Sequence, residues 1–333
     1  MTPTTSRPRQ AAAFTLIELL VVISIIALLI GILLPALGAA RGTARSAICL
    51  GNLRSAAQGM FTYTVDNDGW LAGPNTSGAR YNNPAATFRD GANEPTQNMD
   101  WVSPTMGSSL GLSDDRSNRI EDIFNNEFRC PANQENYTDV FAAGDVNINA
   151  ETTFVSSYSS PLGFHLWGDT YANGSDDPIY LSNSRGSAVS MAASVPNDYA
   201  SKLDVLGSGS EKVYALDGAR FVNGPDQITF NGIVKQFQGG NFMVSGPAFA
   251  GGSGSPYQYE PGIRNVPTET SERYAFRHTG QLNASFFGGH ASRLSVEEAT
   301  TVDHFLPTGS VITSRNNTRD RREPFITNGY VVR

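Results

Sequence analysis

Residues 19–34 read LLVVISIIALLIGILL without a single charge, and the run widens to 14–37 with one acid, Glu18. A helix over the wider run is about 36 Å long at 1.5 Å per residue, enough to cross a hydrocarbon layer of roughly 30 Å. No other stretch of the chain approaches this apolar density. The segment is therefore a membrane span or part of an export signal. Arg7 and Arg9 before it and Gly38-Ala39-Ala40 after it have the layout of a secretory signal peptide with a small-residue cleavage site. Glu18 departs from that layout, because a carboxylate at mid-bilayer costs roughly 2.5–3.5 kcal/mol and is tolerated only near the interface or beside a partner. The arginines do not settle orientation, since Arg41 and Arg45 follow the run as closely as Arg7 and Arg9 precede it.

Beyond Pro35 the pattern turns amphipathic. Ala44, Ile48, Leu50, Leu53, Ala57, Met60 and Phe61 recur at three- and four-residue steps, with Arg41, Arg45 and Arg54 between them. This predicts one helix running on to the turn cluster Asp66-Asn67-Asp68-Gly69, its second half packed on a head. Pro35, flanked by Gly31 and Gly38, is expected to loosen its middle.

The rest of the 333-residue chain is large enough for a real core, with 40% hydrophobic residues overall. Charged residues are only 17%, and 33 Gly with 18 Pro favour loops and short strands over helical bundles. Of 24 basic residues only Lys202, Lys212 and Lys235 are lysine, and the net charge of −7 is spread without a basic block. A nucleic-acid partner is excluded on that electrostatic ground. Residues 212–221, 227–237 and 241–244 read as strands separated by Gly, Ser, Asn and Pro. Residues 119–128 read as a short helix with Ile120, Ile123, Phe124 and Glu127 on one face, stopped by Cys130-Pro131. Ser295-Val296-Glu297-Glu298 has the form of a capping box, whereas Asp114 and Asp115 read as plain surface acids.

Residues 13–23, AFTLIELLVVI, resemble the prepilin-type cleavage and methylation motif of type IV pilins and type II secretion pseudopilins. The resemblance implies a membrane prepilin peptidase that cuts between Ala13 and Phe14 and N-methylates Phe14. Glu18 is then the fifth residue of the mature chain, and Pro35 falls where many pilins carry a proline. In the family this acid is thought to pair with the terminal amine of a neighbouring subunit during assembly; capping of its own helix is the local alternative. Ala13 stands where the family usually has Gly, which leaves the efficiency of the cut open. A cytoplasmic leader, a single pass through the inner membrane and a periplasmic head are also implied, with a filament at the cell surface as the possible destination. Loss of residues 1–13 would remove two arginines and take the formal charge from −7 to about −9 in the mature chain.

Residues 272–296 are similar to the H-X9-DG segment of a prepilin-like group abundant in planctomycetes, with His278 followed after nine residues by Gly288-Gly289. Gly288 replaces the family Asp, so a carboxylate at that place pairing with His278 or holding a cation is lost. The two glycines read as a two-residue hairpin turn. Segments around Cys49 and Cys130 are similar to the same group.

The resulting expectation is a pilin-like α+β chain: leader 1–13, a long helix 14–66 with 14–37 in the membrane, and a large antiparallel β-rich head over 67–333. No CxxC, HExxH or GxSxG occurs, so neither an enzyme nor a cofactor is expected. Of the four histidines, His278 and His290 could face each other across the hairpin as metal ligands, against a plain hydrogen-bonded role. Asp66 and Asp68 are weak calcium candidates against a solvated turn. Cys49 and Cys130 either form a disulfide across 81 positions in an oxidising compartment or stay as buried thiols. The expected function is a structural subunit of a type IV pilus or type II secretion-like filament, with the peptidase, other subunits of the same or another kind and the inner membrane as partners. A membrane-tethered surface binding protein exported on a pilin-type leader is the alternative.

Overall fold

The computed structural model describes residues 15–73, 89–97, 99–141, 148–166, 168, 193–232, 240–249, 255–258, 267–313 and 326–333. The proposed leader, residues 1–13, and Phe14 lie outside these, as do residues 233–237 of the run read as a strand. The first element is α1, Leu16–Asp66, 51 residues long and unbroken through Pro35. The chain divides into two units between Ala44 and Arg45, inside this helix.

In the first unit every side chain from 16 to 44 is exposed. The large apolar residues run from Leu16, 81% exposed, to Leu37, 49% exposed, with none buried between them. By length and composition the helix is able to cross a membrane.

The second unit contains the remaining turns of α1 and the whole head. Its elements are α2 (Val102–Met106), α3 (Arg116–Asn125), β1 (Asp139–Phe141), β2 (Tyr158–Pro161), β3 (Ala193–Ser194), β4 (Val213–Asp217), β5 (Val222–Gly224), β6 (Gln227–Asn231), β7 (Met243–Val244), α4 (Glu269–Tyr274), β8 (Leu282–Phe286), β9 (Ala291–Leu294), α5 (Val296–Ala299) and β10 (Val311–Ile312). The main sheet has the order β7-β2-β4-β8-β9, a second has β1-β6-β5, and β3 pairs with β10. The expected α+β pilin-like class stands, and the antiparallel β-rich head includes parallel pairs as well. β2 runs parallel to β7 and β1 runs parallel to β6. The connections between these partners are long, which parallel pairing requires and a hairpin meander does not supply.

Local chemistry explains the element ends. Asp115 caps α3 by accepting from the Asn118 N–H at 2.9 Å, so the helix begins at Arg116 and stops before Glu127, which is exposed. Asp115 is thus a cap and not an idle surface acid, and Asp114 accepts from the Ala92 N–H at 2.9 Å. β4 ends at Asp217 rather than running to 221, because Gly218 has φ +154 and a Cβ there would meet the Tyr257 hydroxyl. Ser295 and Glu298 make both bonds of the capping box that opens α5.

Among the described residues the head holds two apolar clusters. One gathers Cys49, Leu53, Ala56, Ala57 and Met60 of α1 with Trp101, Phe124, Phe128, Tyr158 and Tyr214. The other holds Val213, Leu216, Leu282, Ala284 and Phe286 of the main sheet with Phe249, Phe276 and Phe305. β8 shows the period-two logic: Leu282, Ala284 and Phe286 join the second cluster, while the intervening Asn283 meets α1.

Candidate functional site: the helix start and the helix-to-head staple

At the helix start the Glu18 carboxylate accepts from the Thr15 N–H at 2.8 Å and the Thr15 hydroxyl at 2.9 Å, and the Glu18 N–H donates to Thr15 Oγ1 at 3.2 Å. This is a complete capping box, with an acid at the positive end of the helix dipole. In the single chain, then, Glu18 closes its own helix. Pro35 sits within the unbroken helix and is exposed.

In the second unit, α1 turns the buried face Ser46, Cys49, Leu53, Ala56, Ala57, Met60 and Thr64 to the head. Most of these side chains are small, so the backbone comes close. Gly59 marks the tightest approach: a Cβ there would lie 2.9 Å from the Thr105 carbonyl oxygen. A disulfide joins Cys49 to Cys130, with the Cα atoms 5.1 Å apart. Asn52 Nδ2 donates to the Phe128 carbonyl at 2.8 Å, and Ser46 Oγ donates to Asn283 Oδ1 at 3.2 Å. The helix is therefore fastened by one covalent bond, polar contacts one turn to either side of it, and an apolar seam.

Around the sulfurs lies a fully buried polar cluster. His278 Nε2 is 3.5 Å from Cys130 Sγ and 3.3 Å from Asp217 Oδ2. Asp217 Oδ2 also accepts from the Asn283 N–H at 2.7 Å, and its Oδ1 lies 3.2 Å from Arg277 Nη2. Arg277 Nη2 donates to the Ser157 carbonyl at 2.6 Å, while its Nε and Nη1 have no partner among the described residues. Burial, with Asp217 nearby, pushes the Tyr158 hydroxyl well above its ordinary range and keeps it neutral. The His278 ring is presented by a tight turn in which His278 and Gln281 exchange backbone bonds and both central residues are left-handed, Thr279 at φ 60 and Gly280 at φ 73. For a β-branched residue such a φ costs on the order of 1–3 kcal/mol, so the surrounding packing holds the turn in place.

Three readings of the sequence change here. His278 and His290 do not face each other: they stand at opposite ends of β8, a span of about 14 Å at 3.4 Å per residue, and His290 is exposed and stacked on Phe286. The loss of the Asp at 288 does not deprive His278 of a carboxylate, because Asp217 of β4 supplies one and position 288 is at the far end of the hairpin. That hairpin has a three-residue loop, not two: Gly289 N–H donates to the Phe286 carbonyl, Phe286 N–H donates to the His290 carbonyl, and only Gly289, at φ 85, is left-handed. Gly288 is small for another reason, since its N–H donates to the Gly209 carbonyl at 2.7 Å and a Cβ would press on the Gly209–Ser210 backbone. Asp66 and Asp68 are both exposed on the turn that ends α1, where Asp68 has φ 51, and neither joins a group of three potential ligands among the described residues. Asp217, Arg277 and Asn283 were not singled out by sequence. The one signal was a carboxylate closing the otherwise apolar strand Val213–Asp217.

Comparison with known proteins agrees with this geometry at the N-terminus. Residues 8–34 match the model of the prokaryotic N-terminal methylation motif, so the chain opens with a prepilin-type methylation segment. The chain is also similar to a pilin: it is 44% identical over 64 residues to the type IV wide pilus major component PilA4 of Thermus thermophilus, a match covering 19% of this chain. It spans about half, 49%, of the length of that relative. No solved structure matches. The family match covers none of residues 272–296.

Proposed function

We propose that this chain is a structural subunit, a pilin or pseudopilin, of a type IV pilus or a type II secretion-like filament. The observation that carries the reading is the methylation motif over residues 8–34 set at the start of a 51-residue helix whose first half is apolar and exposed. Prepilin peptidase cuts before Phe14, the apolar half holds the chain in the inner membrane, and the head lies on the periplasmic side. Assembly then bundles the apolar segments of neighbouring subunits. The Glu18 carboxylate, which caps its own helix in the isolated chain, exchanges Thr15 for the amine of a neighbour and sets register. The role is structural rather than catalytic.

Intact-mass and terminal-peptide mass spectrometry of the membrane fraction tests the first step. A chain starting at Phe14 with an added methyl group is expected; a chain starting near Arg41 overturns the reading. Glu18→Ala tests the second: membrane insertion is expected to persist while recovery in sheared filaments falls, and undiminished recovery removes the register role.

A further inference from the structure

We infer that the site now closed by the Cys49–Cys130 disulfide is, in the dithiol chain, a tetrahedral zinc site formed by Cys49, Cys130, His278 and Asp217. The cysteine sulfurs and the His278 nitrogen lie within 4.8 Å of one another and all three residues are buried. A tetrahedral zinc with bonds of about 2.3 Å to sulfur and about 2.0–2.2 Å to nitrogen and oxygen sets roughly 3.5 Å between a sulfur and a nitrogen ligand and roughly 3.4 Å between a nitrogen and an oxygen ligand. The observed separations are 3.5 Å from Cys130 Sγ to His278 Nε2 and 3.3 Å from His278 Nε2 to Asp217 Oδ2. The two sulfurs must part, to about 3.8 Å, once no bond joins them, and the Asp217 carboxylate, which stands outside the group of three, must turn in toward them beside His278.

The same ring nitrogen faces both the sulfur and the carboxylate. A relay of the acid–imidazole–thiol kind needs the two on opposite nitrogens, so this arrangement suits convergence on one central ion and not proton transfer along a chain. Charge agrees. With the disulfide, the Asp217 carboxylate and the Arg277 guanidinium balance one another. Two thiols and one zinc ion give a dithiolate complex and two protons released to solvent, which again adds no net charge to the pocket. The outer partners of a metal site are also in place: the Asn283 N–H and the Arg277 guanidinium both fix the Asp217 carboxylate, and Arg277 keeps two unpartnered N–H-bearing atoms among the described residues.

The dithiol is the form in which the chain is synthesised, so no reductant is required for it to exist. Conversion to the disulfide needs a two-electron acceptor, for which an oxidising protein disulfide is the chemical class. The zinc dithiolate gives the intrachain disulfide and free zinc, and the acceptor leaves as two thiolates. Zinc and the disulfide are thus alternative clips at one place, and either holds α1 on the head.

The test uses the full chain in detergent, reduced without oxygen by a phosphine and titrated with cobalt(II) as the optical probe. One cobalt per chain is expected, with the ligand-field and sulfur charge-transfer bands of a tetrahedral thiolate site, displaced by zinc and absent from the oxidised protein. Asp217→Asn and His278→Ala are each expected to raise the dissociation constant at least about tenfold. Near-ultraviolet circular dichroism of the oxidised variants reports that their heads are folded. Reduced wild-type chain that takes up no cobalt overturns the inference, as does binding that neither variant weakens, which would leave the two cysteines acting alone.

Discussion

The two halves of α1 differ in what their side chains meet, although one helix carries both. Residues 16–44 are exposed throughout and rich in Leu and Ile, while residues 46–64 bury a face of Ser, Cys, Leu, Ala, Met and Thr. The more apolar half is the one whose described side chains are all exposed, and the less apolar half is the one that buries a face. Apolarity alone therefore does not mark a docking face in this helix. Small side chains do, because they let the helix backbone approach the head closely enough for Gly59 to touch Thr105 and for Cys49 to reach Cys130.

Substitutions that treat the halves alike test this contrast. The largest effect is expected from removing the staple: Cys49→Ser together with Cys130→Ser should lower head stability by about 2–5 kcal/mol, read from urea unfolding followed by tryptophan fluorescence. A shift under 1 kcal/mol would mean that the apolar seam alone fixes the helix. In the exposed half, Ile26→Arg should cost about 2.5–3.5 kcal/mol of membrane insertion and release chain from the membrane fraction, with the head's unfolding midpoint unmoved. Leu53→Ala should do the reverse, destabilising the head by about 2–5 kcal/mol with membrane retention intact.

A pH scan addresses the head alone. Burial pushes the His165 imidazole down to about 3, so the folded chain stays unprotonated where the unfolded chain, near 6.5, takes a proton. Stability should therefore fall as pH drops from about 6.5 toward 3, by up to about 1.4 kcal/mol per pH unit, and His165→Gln should flatten that slope. The smallest and sharpest comparison is between two helix glycines. Gly51→Ala, with nothing within 4 Å of the added carbon, should stabilise by about 0.5–1 kcal/mol, and Gly59→Ala should destabilise by about 1–3 kcal/mol through its contact with Thr105. Equal signs for the pair would show that close approach does not govern the docked half.

The N-terminal half of this architecture was legible in the sequence because its signals are local. An apolar run, an acid four residues past Phe14 and a three-four periodicity each need only neighbours along the chain to be read. The staple was half legible, since two cysteines define a pair but not the distance between them. Asp217, Arg277 and His278 were illegible as a cluster, because they meet only through the pairing of β4 with β8 and a left-handed turn at Thr279, neither of which leaves a spacing in the sequence. The hairpin after β8 shows a subtler limit. Two adjacent glycines suggest one shared reason, and here they have two: a positive φ at Gly289 and a backbone contact at Gly288.

The covalent link at Cys49 also has a mechanical consequence. A chain held by its apolar segment and pulled by its head is loaded along α1, and a docked helix fastened only by side-chain contacts yields in shear, one turn after another. With the sulfurs joined, tension bypasses the seam at the fourth residue beyond Arg45 and enters the head at Cys130, so that Leu53, Ala57 and Met60 carry almost none of it. The first part to give way under traction is then not the docking of the helix but whichever strand pairing is weakest in the head.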